Sequence, residues 1–169
     1  MQRFGNSELT ADLRGKLSLP LVVAPMFLVS TVDMVVEAGR VGVMGSIPAL
    51  NARTPAIFAD WVAEIRTRLA DARAIAPWAV NLIVHKTNIR LGDDLDICVD
   101  AKVPAIIASV GSPVDIIERV HAYGGIVISD AASVKHARRA AEAGVDGLVL
   151  LTGGAGGNQG WRDPVAFVA

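Results

Sequence analysis

Short, unbroken apolar runs recur along this chain, each closed off by Gly, Pro, Ser or Asp, and they constrain its fold more than any other feature. They occupy residues 21–24, 41–44, 78–84, 105–108, 126–128 and 148–151. Runs without strict polar–apolar alternation are the mark of strands covered on both faces, as in parallel sheets. Helix-like stretches separate them, and similar joints connect helix to strand. Glu37-Ala38-Gly39, Ala122-Tyr123-Gly124-Gly125 and Glu142-Ala143-Gly144 each precede a run. A glycine just past a helix end is the expected left-handed cap. Asp100-Ala101-Lys102 takes the same place without a glycine.

The helix starts are marked as well. Ser30-Thr31-Val32-Asp33 has capping-box spacing, with Asp33 in place of the usual Glu. Thr54-Pro55 and Ser112-Pro113 set a capping side chain before a proline suited to the first helical turn. Ser133 opens a segment whose apolar positions 134, 137, 140 and 141 share one helical face. Six strand–helix units without a hairpin signal predict an α/β fold with a parallel sheet. A doubly wound sheet would show a Gly-rich turn after its first strand, but here Ala24-Pro25-Met26-Phe27 follows. The expectation is therefore a TIM-type (β/α) barrel, supplied with six units where a complete one has eight.

The 169 residues make one domain, and 52 % of them are hydrophobic against 20 % charged, which excludes intrinsic disorder. A net charge of −1 gives no electrostatic case for a nucleic-acid or anionic-membrane partner. Cys98 is the single cysteine and fits a packed core thiol in a reducing, cytoplasmic setting. Residues 20–36 are the longest apolar stretch, but Pro25, Ser30, Thr31 and Asp33 interrupt them, and they fall short of the roughly 20 residues a membrane span needs. Residues 1–6 do not read as a signal peptide.

In a barrel, chemistry belongs to the loops after the strands. The loop from Thr152 to Trp161 stands out because it packs five glycines into its first nine residues, a backbone that can approach an anion or a flat ring. Asn81 is a carboxamide inside an apolar run and must bond either the backbone or a ligand. His85 follows the same strand and is a candidate base near neutral pH. Asp130 ends the fifth run, as a helix cap or a ligand contact, while His121 and His136 read as solvated helix positions. No His or carboxylate spacing suggests a metal site.

Taken together and in order, Ala24-Pro25-Met26, Val80-Asn81-Leu82 and the stretch 144–150 leading into Gly153-Gly154-Ala155-Gly156-Gly157 resemble the nitronate monooxygenases, formerly called 2-nitropropane dioxygenases. The similarity runs from about residue 17 to 167. The resemblance implies a flavoprotein barrel with FMN at the C-terminal ends of its strands, oxidising alkyl nitronates with molecular oxygen. It implies FMN contacts at Ala24, Pro25, Met26, Asn81, Gly156 and Gly157, with Thr152 near a position where relatives place a glutamine; Asp130 is counted with them as a pocket residue. Flavin-dependent enoyl-acyl-carrier-protein reductases share similar motifs and are the alternative, as is a half-barrel that assembles with a partner chain or with itself.

Two departures from the family pattern bear on function. Many relatives carry a histidine, the proposed base for neutral nitroalkanes, where this chain has Asn158, and a carboxamide cannot take up a proton at neutral pH. His85 is then the candidate substitute. The family's glycine-rich phosphate loops follow the seventh and eighth strands, so the expected domain, residues 1–169, lacks the family's C-terminal portion.

Overall fold

A computed structural model describes residues 15–70 and 76–168. Residues 1–6, read above for a leader, lie outside that range. The described elements alternate strictly: α1 (Val32–Arg40), β1 (Ser46–Pro48), a 3-10 turn (Ala49–Asn51), α2 (Pro55–Ala70), β2 (Ala79–Ile83), α3 (Leu91–Asp100), β3 (Ala105–Ser109), α4 (Val114–His121), β4 (Ile126–Ala131), α5 (Val134–Ala143), β5 (Gly147–Leu150) and α6 (Pro164–Val168). Every strand pair is parallel and the spatial order is the chain order, β1-β2-β3-β4-β5. A doubly wound sheet reverses its strand order; this one does not, which is how the staves of a barrel are laid.

Side-chain alternation gives the two faces of the sheet different roles. Ile47, Val80, Leu82, Ile106, Ala108 and Val127 point to the helices, where Phe58, Val62, Ile65 and Leu69 of α2 and Ile116, Ile117 and Val120 of α4 close over them. Fully burying one of the Val, Leu, Ile or Phe side chains here contributes about 1.5–3 kcal/mol relative to exposure. The other face carries a smaller cluster of Met44, Ala79, Ala105, Ile107 and Ile126, against which Leu17 and Ile128 pack. No helix residue belongs to it among the described residues, so the helices lie on one face only.

Three of the expected caps are present. Thr54 Oγ1 accepts from the Ile57 N–H, Ser133 Oγ accepts from the His136 N–H, and Gly144 ends α5 with φ 96°. Lys102, with φ 50°, turns the chain before β3 as the missing glycine would have. Cys98 is fully buried, and loss of hydration pushes its thiol well above its usual range.

Several expectations need correction. The run 21–24 forms only a single bridge, Val22 to Met44, and the next strand starts at Ser46 rather than within 41–44. Gly39 is not a cap. It lies inside α1, where an added Cβ would stand 2.9 Å from Leu69 Cδ2, and Gly42 makes the left-handed turn instead. Thr31 caps α1 by accepting from the Met34 N–H, because Ser30 Oγ is engaged by the Met26 N–H. Ser112 makes no capping bond to α4, whose N-cap is Pro113. His121 is exposed but not merely solvated: its Nε2 lies 2.8 Å from Asp146 Oδ2, which also accepts from the Val127 N–H. The run before the glycine loop is not a buried strand, since Leu148 and Val149 of β5 are 38 % and 39 % exposed. Its far side has no neighbouring strand among the described residues.

One buried ion pair fixes the start of α3. Arg90 donates to Asp94 Oδ1 at 2.8 Å and to the Ala52 carbonyl at 2.7 Å, tying α3 to the turn after β1. Asp94 is fully buried, and that desolvation raises its pKa even though Arg90 pulls it down. Removing Arg90 leaves the carboxylate unpaired in the core. We expect Arg90→Met to lose about 3–5 kcal/mol of stability near pH 7. A carboxyl whose folded pKa is raised destabilises the fold as it ionises, so the deficit should shrink as pH falls towards 4. Urea unfolding midpoints of both proteins across that pH range measure both effects.

Candidate functional site

The C-terminal ends of all the strands meet at one edge of the sheet because every pair is parallel. On the helix-free face, alternation and register bring Asn81, Ser109 and Asp130 towards that end, while Ser46 lies lower, level with Ala79 in the apolar cluster. Asn81 is buried, and its Nδ2 donates to the Ile107 carbonyl at 2.9 Å and to Ser109 Oγ at 2.8 Å. Its Oδ1 has no protein partner among the described residues. The half-buried Asp130 of β4 completes this polar group, close enough to Ser109 and Val110 for both to favour its charged form. Asn81, Ser109 and Asp130 thus form a polar row across β2, β3 and β4, its first two members hydrogen-bonded to each other. Burial raises the Asp130 pKa; the neighbouring polar groups of Ser109 and Val110 and the charge of His136 oppose that shift without cancelling it.

The backbone beside this row is strained. Val110 has φ 59°, a left-handed conformation that a β-branched residue rarely adopts. Gly111 follows, packed so closely on the β2 loop that a Cβ there would lie 3.1 Å from the His85 nitrogen. The backbone of His85 therefore adjoins the row, but its ring does not join it. The side chain is exposed and its Nδ1 lies 2.9 Å from Thr87 Oγ1.

The segment Ala24-Pro25-Met26 leaves the sheet edge beside β1. Ser46 Oγ donates to the Val23 carbonyl at 2.5 Å, and Asn51 holds the loop that follows. Asn51 Nδ2 donates to the Met26 and Ser30 carbonyls, while Oδ1 accepts from the Leu28 N–H, where Leu28 has φ 62°. Sequence reasoning assigned nothing to Asn51 or Ser109. Asn51 sits in a turn with no motif around it, and the part Ser109 plays shows only in the register that sets it beside Asn81.

Thr152 lies two residues past the end of β5, and Gly156, Gly157 and Asn158 lie in the exposed part of the loop. Asn158 makes no side-chain hydrogen bond among the described residues. A Cβ on Gly156 or Gly157 would meet nothing within 4 Å, so this backbone is clear of the rest of the fold. A cleft of about 830 Å³ opens elsewhere, at the N-terminal ends of β2 and β3, lined by Arg66, Pro77, Trp78, Lys102 and Pro104 among others. It lies at the opposite end of the strands from the polar row.

The sequence profile of the family described as Nitronate monooxygenase matches residues 64–167. This chain belongs to that family. Members of the nitronate monooxygenase family are FMN-dependent oxidoreductases with a TIM-barrel-like fold. Among solved structures, the chain is similar to FabK from Thermotoga maritima, at 24 % identity and a TM-score of 0.81, covering 96 % of this chain and 49 % of that one. It is also similar to a nitroalkane oxidase from Streptomyces ansochromogenes, at 21 % identity and a TM-score of 0.75, covering 94 % and 53 %. No curated protein matches it. The chain spans about half the length of these structures, and its five-stranded sheet corresponds to half of their barrel. No helix among the described residues is long and apolar enough to cross a membrane.

Within the glycine loop of this family member, the position that cannot change is Gly160. A Cβ there would stand 2.2 Å from the Leu151 carbonyl oxygen. We expect Gly160→Ala to cost about 1–3 kcal/mol, as over-packing does, and Gly156→Ala to leave the melting temperature nearly unchanged. Thermal unfolding followed by circular dichroism distinguishes the two.

Proposed function

We propose that the chain takes part in FMN-dependent oxidation of alkyl nitronates by molecular oxygen, with the flavin at the C-terminal end of the helix-free face. The observation that carries this reading is the unpartnered Asn81 Oδ1, set in a polar row above an apolar floor. A ligand pocket of this kind places a few polar groups in an otherwise apolar wall. An acceptor without a partner suits an N–H on the edge of a flavin ring. The clear space around Gly156 and Gly157 suits close approach of backbone to a flat group. The residues therefore fit FMN, which when bound supplies the electron acceptor for the nitronate.

In this reading Asn81 orients the ring edge, and Ala24, Pro25 and Met26 flank it from the loop that Asn51 braces. Thr152, Gly156 and Gly157 close the site from the β5 side. Asn158 can donate a hydrogen bond to an oxygen of a nitronate, and it cannot act as a base. A nitronate is already deprotonated, so its oxidation asks no proton transfer of this chain. The apolar floor of Ala79, Ala105 and Ile107 keeps water from the inner side of the site.

The test is retention of flavin. After FMN is added and free flavin removed, the chain should keep absorbance at about 350–500 nm and consume oxygen when given an alkyl nitronate. Asn81→Ala should weaken FMN binding roughly tenfold, the effect of losing one buried hydrogen bond. A colourless protein overturns the reading. A retained flavin that NAD(P)H bleaches rapidly, without nitronate turnover, would instead mark a reductase.

A further inference from the structure

The turn at residues 26–30 is shaped by hydrogen bonds rather than by packing. Phe27, Leu28 and Val29 are 65 %, 75 % and 57 % exposed, so burial of their side chains contributes little to its form. Leu28 nevertheless keeps φ 62°, which a non-glycine residue holds only where its surroundings impose it. One side chain from another loop imposes it. Asn51 Nδ2 donates to the Met26 carbonyl at 3.2 Å and to the Ser30 carbonyl at 2.9 Å, and Oδ1 accepts from the Leu28 N–H at 3.0 Å. Both donor hydrogens and the acceptor of the amide are spent on this one turn. The buried Ser30 closes it from within, its Oγ accepting from the Met26 N–H at 2.9 Å. The base of the brace is fixed in turn. Asn51 ends the 3-10 turn after β1, and the carbonyl of the next residue, fully buried Ala52, accepts from Arg90 Nη1 at 2.7 Å. Ser46 of β1 holds the Val23 carbonyl. Ala24-Pro25-Met26 is therefore tied at both ends.

We propose that Asn51 is a positioning residue for the flavin: by holding the 26–30 turn it sets Ala24, Pro25 and Met26 in the geometry that receives the ring before the ring arrives. This rests on the flavin reading above. Asn51 acts through the turn, since its polar atoms are committed to the Met26, Leu28 and Ser30 backbone. Without the brace, the turn has to be ordered as the ligand binds, and that ordering is subtracted from the affinity. Neither Ala nor Asp can replace it. Ala makes none of the three bonds, and an ionised Asp has no hydrogen to give either carbonyl. Because the turn buries so little, losing its shape should affect binding more than it affects the stability of the fold.

Two readouts separate the brace from the fold and from the flavin. Amide hydrogen exchange of the chain without flavin reports on the turn itself. In Asn51→Ala the N–H groups of Leu28, Val29 and Ser30, bonded to Asn51 or to the Met26 carbonyl, should exchange about tenfold faster or more. Titration of FMN fluorescence reports on binding, and the same variant should bind FMN about tenfold more weakly. Val62→Ala, which opens a cavity in the helix-side core, controls for general destabilisation. It should lower the melting temperature and leave the FMN Kd within about twofold of wild type. If Asn51→Ala does not fold, Asn51→Asp keeps the size and the acceptor for Leu28 while losing both donated bonds, and its exchange is read at Val29 and Ser30. A folded variant whose turn loosens while FMN affinity stays at the wild-type value overturns the proposal, as does a turn that stays protected without the Asn51 amide. So does a Val62→Ala chain that loses as much affinity as Asn51→Ala. A wild-type chain that binds no FMN removes the flavin reading and this proposal together; wild-type binding that the Asn51 variant shares removes this proposal alone.

Discussion

All the crossovers between parallel strands put their helices on the same side of the sheet, and the rest of the structure depends on this. A strand–helix–strand connection is right-handed, so a sheet whose strand order never reverses receives every helix on one face. That face takes up the large aliphatic side chains and most of the burial energy. The other face is left to smaller residues below and to polar ones at the C-terminal end. Had the order reversed, helices would cover the row of Asn81, Ser109 and Asp130, and nothing could bind there.

The site is held together by backbone geometry as much as by side chains. Val110 and Leu28 both adopt left-handed φ values, and the N–H of Leu28 is committed to Asn51 Oδ1. Strain of this kind persists where neighbouring bonds over-determine it, and it gathers at functional sites. The Arg90–Asp94 pair works at a different level. It fixes α3 to the turn after β1, and each partner keeps one buried polar atom unsatisfied, Arg90 Nε and Asp94 Oδ2. Its contribution is placement of the elements rather than net stability.

Much of the fold was legible because it rests on local chemistry. The runs at 78–84, 105–108 and 126–128 became β2, β3 and β4, and Thr54, Ser133 and Gly144 cap helices as their spacing implies. The first two runs were misread because an apolar run does not say which residues will find hydrogen-bonding partners. Val22 meets only Met44, and β1 forms at Ser46–Pro48, where the register with β2 allows it. Asn81 stood out as a polar residue in an apolar strand. Ser109, Asn51 and Arg90 did not, because each acts through a partner 21 to 38 residues away in the chain.

The amino-acid sequence by itself determined the parallel α/β class, the alternation of elements and the family, since periodicity, caps and motif order are local properties of the chain. Only the tertiary structure decided which face of each strand meets the helices and which polar residues share the open one. It also decided that Asn81 bonds Ser109 across the strands while the His85 ring turns away towards Thr87. Those outcomes depend on strand register and on backbone angles between segments distant in sequence, and a one-residue slip in register would send every one of these side chains to the opposite face.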